Sequence, residues 1–101
     1  NPKLIISSAY RSAFSSVFKI LSKDFASRNI SCINIAPGSI NTDRTKELCD
    51  DIESVAKTLP MKRLGEPQEI GNFVKSIVEN EIKYLSGVVI DFDGANSNFI
   101  F

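Results

Sequence analysis

Apolar side chains recur at positions 6, 9, 10, 13, 14, 17, 18, 21 and 25, and polar residues fill the gaps. This i, i+3, i+4 recurrence predicts one long amphipathic helix over about residues 7 to 28, with Asn29 suited to a left-handed position just past its end. ISCINI, residues 30 to 35, is short, mostly apolar and β-branched, the pattern of a buried strand. APGSINTDR then reads as a loop punctuated by Pro37-Gly38. Asn41 or Thr42 can cap a second helix through about residue 58, with Leu48, Ile52 and Val55 on one face and Pro60 as its stop. After a second loop, residues 61 to 66, Pro67 suits the first turn of a third helix that turns Ile70, Phe73, Val74, Ile77 and Val78 inward. Gly87 introduces GVVIDFDG, in which Val88 to Phe92 reads as a second strand ended by Asp93-Gly94.

The order is helix, strand, helix, helix, strand. Strands joined through helices favour a parallel sheet with right-handed crossovers, hence an α/β fold. Two strands do not make a stable open sheet by themselves, so further strands are expected from another part of the same protein, from another copy, or from both. A first residue Asn1, followed at once by Pro2-Lys3 and an apolar run, fits a chain that starts partway through a larger protein.

Composition narrows the partners. The 101 residues are 43% hydrophobic and 24% charged, with twelve basic and twelve acidic side chains. A net charge of zero supplies no basic field for nucleic acid or an anionic membrane, so neither is expected. No apolar run approaches the ~20 residues of a membrane-spanning helix, and a cytoplasmic location is the expectation. Cys32 and Cys49 are too few for a disulfide scaffold and lack metal spacing; they read as a small buried hydrophobe and a helix-surface thiol. No metal site is expected. Histidine is absent, which removes the commonest general base.

Open parallel sheets bind ligands beyond the carboxyl ends of their strands, and APGSINTDR falls there, directly after strand 30 to 35. Gly38 would permit close backbone approach, and a hydroxyl at the start of a helix suits phosphate. Alone, a Pro-Gly loop is most simply an ordinary turn. In combination, KILSKDFASRNISCINIAPGSINTD, RLGEPQEIGNFV and YLSGVVIDFDGA resemble the carboxyl-terminal half of short-chain dehydrogenases/reductases, most of all the branch containing 3-oxoacyl-[acyl-carrier-protein] reductases. The matching residues are Pro37-Gly38 with Thr42, Arg63-Gly65-Pro67-Glu69, Tyr84 with Ser86-Gly87, and Asp93-Gly94.

The resemblance implies that residues 1–101 are the carboxyl-terminal part of a single Rossmann-like, doubly wound NAD(P)-binding domain whose amino-terminal half is absent. It implies NAD or NADP as cofactor, a small-molecule carbonyl or alcohol substrate such as a 3-oxoacyl thioester, and a homo-oligomer. Pro37, Gly38, Ile40 and Thr42 would line the nicotinamide side, Ile40 through its backbone to the carboxamide and Thr42 to the carboxamide or a phosphate. Asp43 to about Pro60 would be a mobile substrate flap, and the helix from Pro67 and strand 88 to 92 would supply a subunit contact. Tyr84, Phe92 and Phe99 to Phe101 read as core or interface packing.

The family's reaction also needs a tyrosine with a lysine four residues on, so that both share a helix face and the ammonium lowers the phenol's pKa. Tyr10 and Lys19 do not qualify. Nine residues at ~100° each place them about 180° apart around the helix. Counting back from the well-matched run puts the family's tyrosine at Ser7 and its lysine at Arg11. Arg11 keeps the charge and could hold ribose hydroxyls or a phosphate; it could equally be a solvated or interface cation. Ser7 is a poor proton donor at neutral pH and could instead cap the helix start. An NAD(P)-dependent oxidoreductase of atypical make-up, with Ser7 and Arg11 at the catalytic positions, and a catalytically inactive cofactor-binding or assembly protein both follow from this pattern.

Overall fold

The computed structural model describes residues 2–48 and 50–98, with backbone alone at Pro2, Lys3, Leu4 and Ser7. The elements run α1 (Pro2–Ala26), β1 (Ile33–Pro37), α2 (Asp43–Leu48), α3 (Ile52–Thr58), α4 (Pro67–Glu79) and β2 (Val88–Phe92). The fold is α/β. β1 and β2 form a two-stranded sheet. The Gly87 N–H donates to Cys32 O at 2.8 Å near the start of both strands, and the Gly38 N–H donates to Phe92 O at 3.0 Å near their ends, so the pairing is parallel. The chain divides into two compact units, residues 1–34 with 82–90 and residues 35–81 with 91–101.

In the first unit, α1 starts at Pro2 rather than at residue 7, because proline is tolerated in a helix's first turn and nothing after it breaks the period. Its end is a Schellman arrangement. Asn29 takes a φ of 58°, its N–H donates to Ala26 O at 3.0 Å, and the Ile30 N–H donates to Phe25 O at 3.3 Å. The strand begins at Ile33, three residues later than the apolar run suggests, since the residues before it are bound by side chains. Ser31 Oγ donates to Leu85 O, and the Cys32 N–H donates to Ser86 Oγ at 3.0 Å. Lys19 Nζ donates to Gly87 O at 2.7 Å, and Gly87 adopts a φ of 71° where a Cβ would stand 2.8 Å from Ser22 Oγ. The apolar stripe of α1 is open, with Ile6, Tyr10, Phe14 and Val17 all more than half exposed. Cys32 is half-buried rather than buried, and Tyr84 is fully exposed, so it packs in no core.

The second unit corrects the expected second helix. It is two short helices, because Asp51 starts a new one: its carboxylate accepts from the Ser54 N–H at 3.2 Å and from Ser54 Oγ at 2.7 Å. Such local bonds compete with helix continuation. Leu48 is consequently exposed, apart from the half-buried Ile52 and Val55. α4 begins at Pro67 as expected and half-buries Ile70, Phe73 and Ile77, but Val74 and Val78 face outward. Phe73 packs against Phe92 with ring centroids 5.7 Å apart. Leu59 and Leu64 are the buried apolar residues among those described. Asp93 closes the turn after β2, accepting from the Ala95 N–H at 3.2 Å and the Ser97 N–H at 2.8 Å. Cys49 and Phe99 to Phe101 lie outside the described residues. Among the described residues, no helix is long and apolar enough to cross a membrane.

Two glycines of the second unit separate packing from propensity. A Cβ on Gly38 would stand 2.7 Å from Asp93 Cβ and 2.9 Å from Asp93 Cα, so backbone has to move. Gly71, inside α4, has open space around the same position. Urea unfolding should show Gly38→Ala destabilised by about 1–3 kcal/mol. Gly71→Ala should be stabilised by roughly 0.5–1 kcal/mol. The reverse order of midpoints would show that the loop does not pack as described.

Candidate functional site

Pro37 ends β1, and the next five residues leave the sheet edge as a loop of defined shape. Gly65 holds that loop from the side: its N–H donates to Ser39 O at 2.9 Å, and the Asn41 N–H donates back to Gly65 O at 2.8 Å. This pair makes a parallel bridge between Ile40 and Gly65. A side chain at 65 would crowd Ile40, whose Cδ1 lies 2.9 Å from the place of a Cβ. At the far end, the Thr42 N–H donates to Ile40 O at 2.9 Å, Thr45 Oγ1 donates to the same carbonyl at 2.6 Å, and the Thr45 N–H donates to Thr42 Oγ1 at 3.3 Å. A cavity of 290 Å³ borders Ser39 and Ile40, with Met61, Arg63, Glu69 and Asp93 among its other walls.

A polar chain runs from the loop to the start of α4. Asn41 Nδ2 donates to Glu66 Oε1 at 3.3 Å, the Glu66 N–H donates to Glu69 Oε1 at 3.0 Å, and Arg63 grips Glu69 with two nitrogens, at 2.7 and 3.2 Å. Arg63, Gly65, Pro67 and Glu69 thus acquire roles: the guanidinium orients the carboxylate that caps the helix, Pro67 enters its first turn, and Gly65 pins the loop. The Arg63 hydrogen bonds, helped by the Glu66 N–H, hold the Glu69 carboxyl below its ordinary value near 4.5. Asn41 Oδ1 is buried with no partner. A flip cannot relieve it, because Glu66 accepts only and so fixes Nδ2 on its own side.

Pro37, Gly38, Ile40 and Thr42 are therefore brought together in one loop of the second unit. Gly38 has a reason of its own to be glycine, the Asp93 backbone against it, besides any ligand. Ser7 and Arg11 stand one turn apart on α1, in the first unit; Arg11 is exposed, and the Ser7 side chain lies outside what is described. Lys19 is committed to Gly87 O and Tyr10 is exposed, which agrees with their exclusion as a pair. Sequence reasoning missed Thr45, Asn41 and Glu66 as loop-holding residues. The spacing Thr42-x-x-Thr45, one helical turn, was the available signal for the first.

The donor and acceptor set fits a nicotinamide. Both lone pairs of Ile40 O are spent within the loop, while Asn41 Oδ1 lacks a donor, and a primary amide is a donor of the needed kind.

Residues 2–95 match the family model described as enoyl-(acyl carrier protein) reductase. Over 77 residues the chain is 40% identical to the 3-oxoacyl-[acyl-carrier-protein] reductase FabG of Chlamydia muridarum, covering 75% of this chain and 31% of that protein. It is 41% identical over 76 residues to carbonyl reductase family member 4 of Xenopus laevis, covering 75% of this chain and 30% of that one. Among solved structures, YwfH, an NADPH-dependent reductase involved in bacilysin biosynthesis, superposes with a TM-score of 0.79 at 28% identity, over 88% of this chain and 38% of that one. The chain spans about a third of the length of the curated relatives it matches.

Acid should loosen both helix starts. Glu69, through Arg63, and Asp51, through Ser54, both titrate below their ordinary values near 4.5 and 3.8. For carboxyls so lowered, the stabilisation is complete above the ordinary value and is lost as pH falls through the lowered one. Amide protection factors at Glu66 and Ser54, taken against the intrinsic exchange rate at each pH, should therefore be flat above pH ~5 and fall below about 4. In Glu69→Gln the Glu66 response should vanish while the Ser54 response persists; an unchanged Glu66 response would remove Glu69 from the capping role.

Proposed function

The chain belongs to the short-chain dehydrogenase/reductase family, and from that premise we propose that it is the carboxyl-terminal part of an NAD(P)-dependent oxidoreductase that interconverts a carbonyl and an alcohol, with 3-oxoacyl thioesters as substrates. The observation that carries this reading is the loop from Pro37 to Thr42, pinned by Gly65 beside an open cavity and left with an unmet need for a hydrogen-bond donor. The FabG relative and the NADPH-dependent bacilysin reductase support the substrate class and the cofactor class, NAD or NADP.

When bound, the dinucleotide supplies or takes up the hydride. The residues of this chain hold and orient. Thr42 and the Ile40 N–H face the carboxamide, and Pro37 with Gly38 shape the turn that brings them there. Arg11 holds ribose hydroxyls through its fork of donors. α2 and α3 cover the substrate, and the upstream half supplies the glycine-rich turn for the adenosine side. α4 and β2, whose Val74, Val78 and Val89 are exposed, supply the contact of a homo-oligomer working in the cytoplasm.

One observation favours a second reading. By the resemblance, Ser7 falls at the family's tyrosine position, and a serine hydroxyl ionises far above the ~10 of a phenol, so proton delivery to an alkoxide would come from water or from the upstream half. A catalytically inactive member that binds cofactor or assembles with another subunit has the same loop. Fold alone does not choose.

Titration of NADH and NADPH into the full-length protein and into this chain alone should give binding to the first and little to the second. Tight binding by the chain alone would contradict the assignment of the adenosine side to the upstream half. Assayed against 3-oxoacyl thioesters and simple ketones, the full-length protein should reduce the former, and Arg11→Ala should lose at least tenfold in kcat/KM, about 1.4 kcal/mol. No reduction by the natural protein, with reduction appearing in Ser7→Tyr/Arg11→Lys, would establish the inactive reading instead.

A further inference from the structure

In the second unit, the cavity beside Ser39 and Ile40 has polar walls whose hydrogen bonds are already made. Arg63 gives two nitrogens to Glu69, and one of them also donates to Leu64 O at 3.2 Å. The Asp93 carboxylate accepts from the Ala95 and Ser97 N–H groups. Gly65 has its N–H on Ser39 O and its carbonyl on the Asn41 N–H. Asp91 is exposed, so its carboxylate stays hydrated. Ile40, Leu59, Met61 and Phe92 supply apolar wall. A charged group entering this space would give up water for few new partners, whereas a hydrocarbon chain has only apolar surface to bury.

We propose that this cavity takes the hydrocarbon tail of the acyl substrate and that Met61 sets how long a tail fits. The proposal rests on the 3-oxoacyl thioester reading and adds where the chain lies and what limits it. At the roughly 30 Å³ of a water-sized group, its 290 Å³ hold about eight to ten carbon atoms. Met61 is the adjustable part of the wall. It is 55% exposed, so its size can change without opening the core, whereas Leu59 on the same wall is 9% exposed. Phe92 is fixed in turn by its ring contact with Phe73. The Met61 thioether is unbranched and adapts to the shape beside it. Gly94 leaves it room: a Cβ there would stand 3.1 Å from Met61 Sδ and 3.4 Å from Met61 Cγ.

The test uses the full-length protein, NADH or NADPH, and 3-oxoacyl pantetheine thioesters of even length from four to fourteen carbons. Values of kcat/KM and melting temperatures are measured for the natural protein, Met61→Ala, Met61→Phe and Met61→Trp. In the natural protein kcat/KM should climb about two- to fourfold per added methylene and level off near ten to twelve carbons, where the cavity is full. Met61→Trp should bring the plateau forward by about two carbons and lower the ratio between ten and four carbons by about tenfold. Met61→Phe should move it the same way. Met61→Ala should carry the climb about two carbons further. Opposite shifts for a larger and a smaller side chain are a readout that a merely structural residue would not give.

The same plateau in every variant, or a loss of equal size at every chain length, would overturn the proposal and leave the oxidoreductase reading standing. So would a natural protein that shows no dependence on chain length, or one that reduces simple ketones and no thioester. If neither thioester nor ketone is reduced, the proposal falls together with that reading. Met61→Phe and Met61→Ala serve if Met61→Trp does not fold.

Discussion

Two backbone hydrogen bonds to one glycine hold the shape on which the candidate site depends. Gly65 donates to Ser39 O and accepts from the Asn41 N–H, clamping the loop that leaves β1. A loop held this way loses little further freedom on binding, so the orientation of Ile40 and Thr42 is set before any ligand arrives. The Arg63 to Glu69 pair, exposed and therefore weak as a stabiliser, matters because it aims the carboxylate that caps α4 and, through Glu66, reaches Asn41. The signature around residues 63 to 69 is thus a support for the loop twenty-odd residues before it.

The first unit works by the same logic without a loop of this kind. Ser86 and Gly87 tie the start of β2 to Cys32 and Lys19, and a β-carbon at 87 would strike Ser22. Lysine at 19 is therefore a strut, and its place in a long helix beside a tyrosine is no sign of chemistry. On the reading proposed, the family's tyrosine and lysine positions fall at Ser7 and Arg11. They retain the one-turn spacing and exchange a phenol for an alcohol, which alters proton transfer far more than it alters cofactor holding. Family membership and catalytic competence are separate questions for this chain.

Sequence periodicity placed the elements in order, save that it merged α2 with α3, because α1, α4 and β2 each carry a clean apolar period and clear end signals: Asn29, Pro67 and Asp93-Gly94. It failed where local polar chemistry competes with periodicity. Asp51 and Ser54 make a helix start inside what reads as one continuous helix, and Ser31 and Cys32 are taken up by Leu85 and Ser86 before the ladder begins. It also turned Val74 and Val78 inward, since a 3.6-residue period names a face but not what covers it. In the candidate site, Pro37, Gly38, Ile40 and Thr42 were legible as one motif. Thr45 and Asn41 were not, because their part depends on which lone pairs remain after the backbone is paired, and spacing does not record that.

The claim on which all this turns is that the Gly65-clamped loop lies against a nicotinamide. A crystal structure of the full-length protein with NADP(H) bound tests it most directly. The account predicts the carboxamide nitrogen within about 3.2 Å of Thr42 Oγ1 and the Ser39, Asn41 and Gly65 bonds unchanged. A dinucleotide bound elsewhere, or a loop that must break from Gly65 to reach it, would contradict the account.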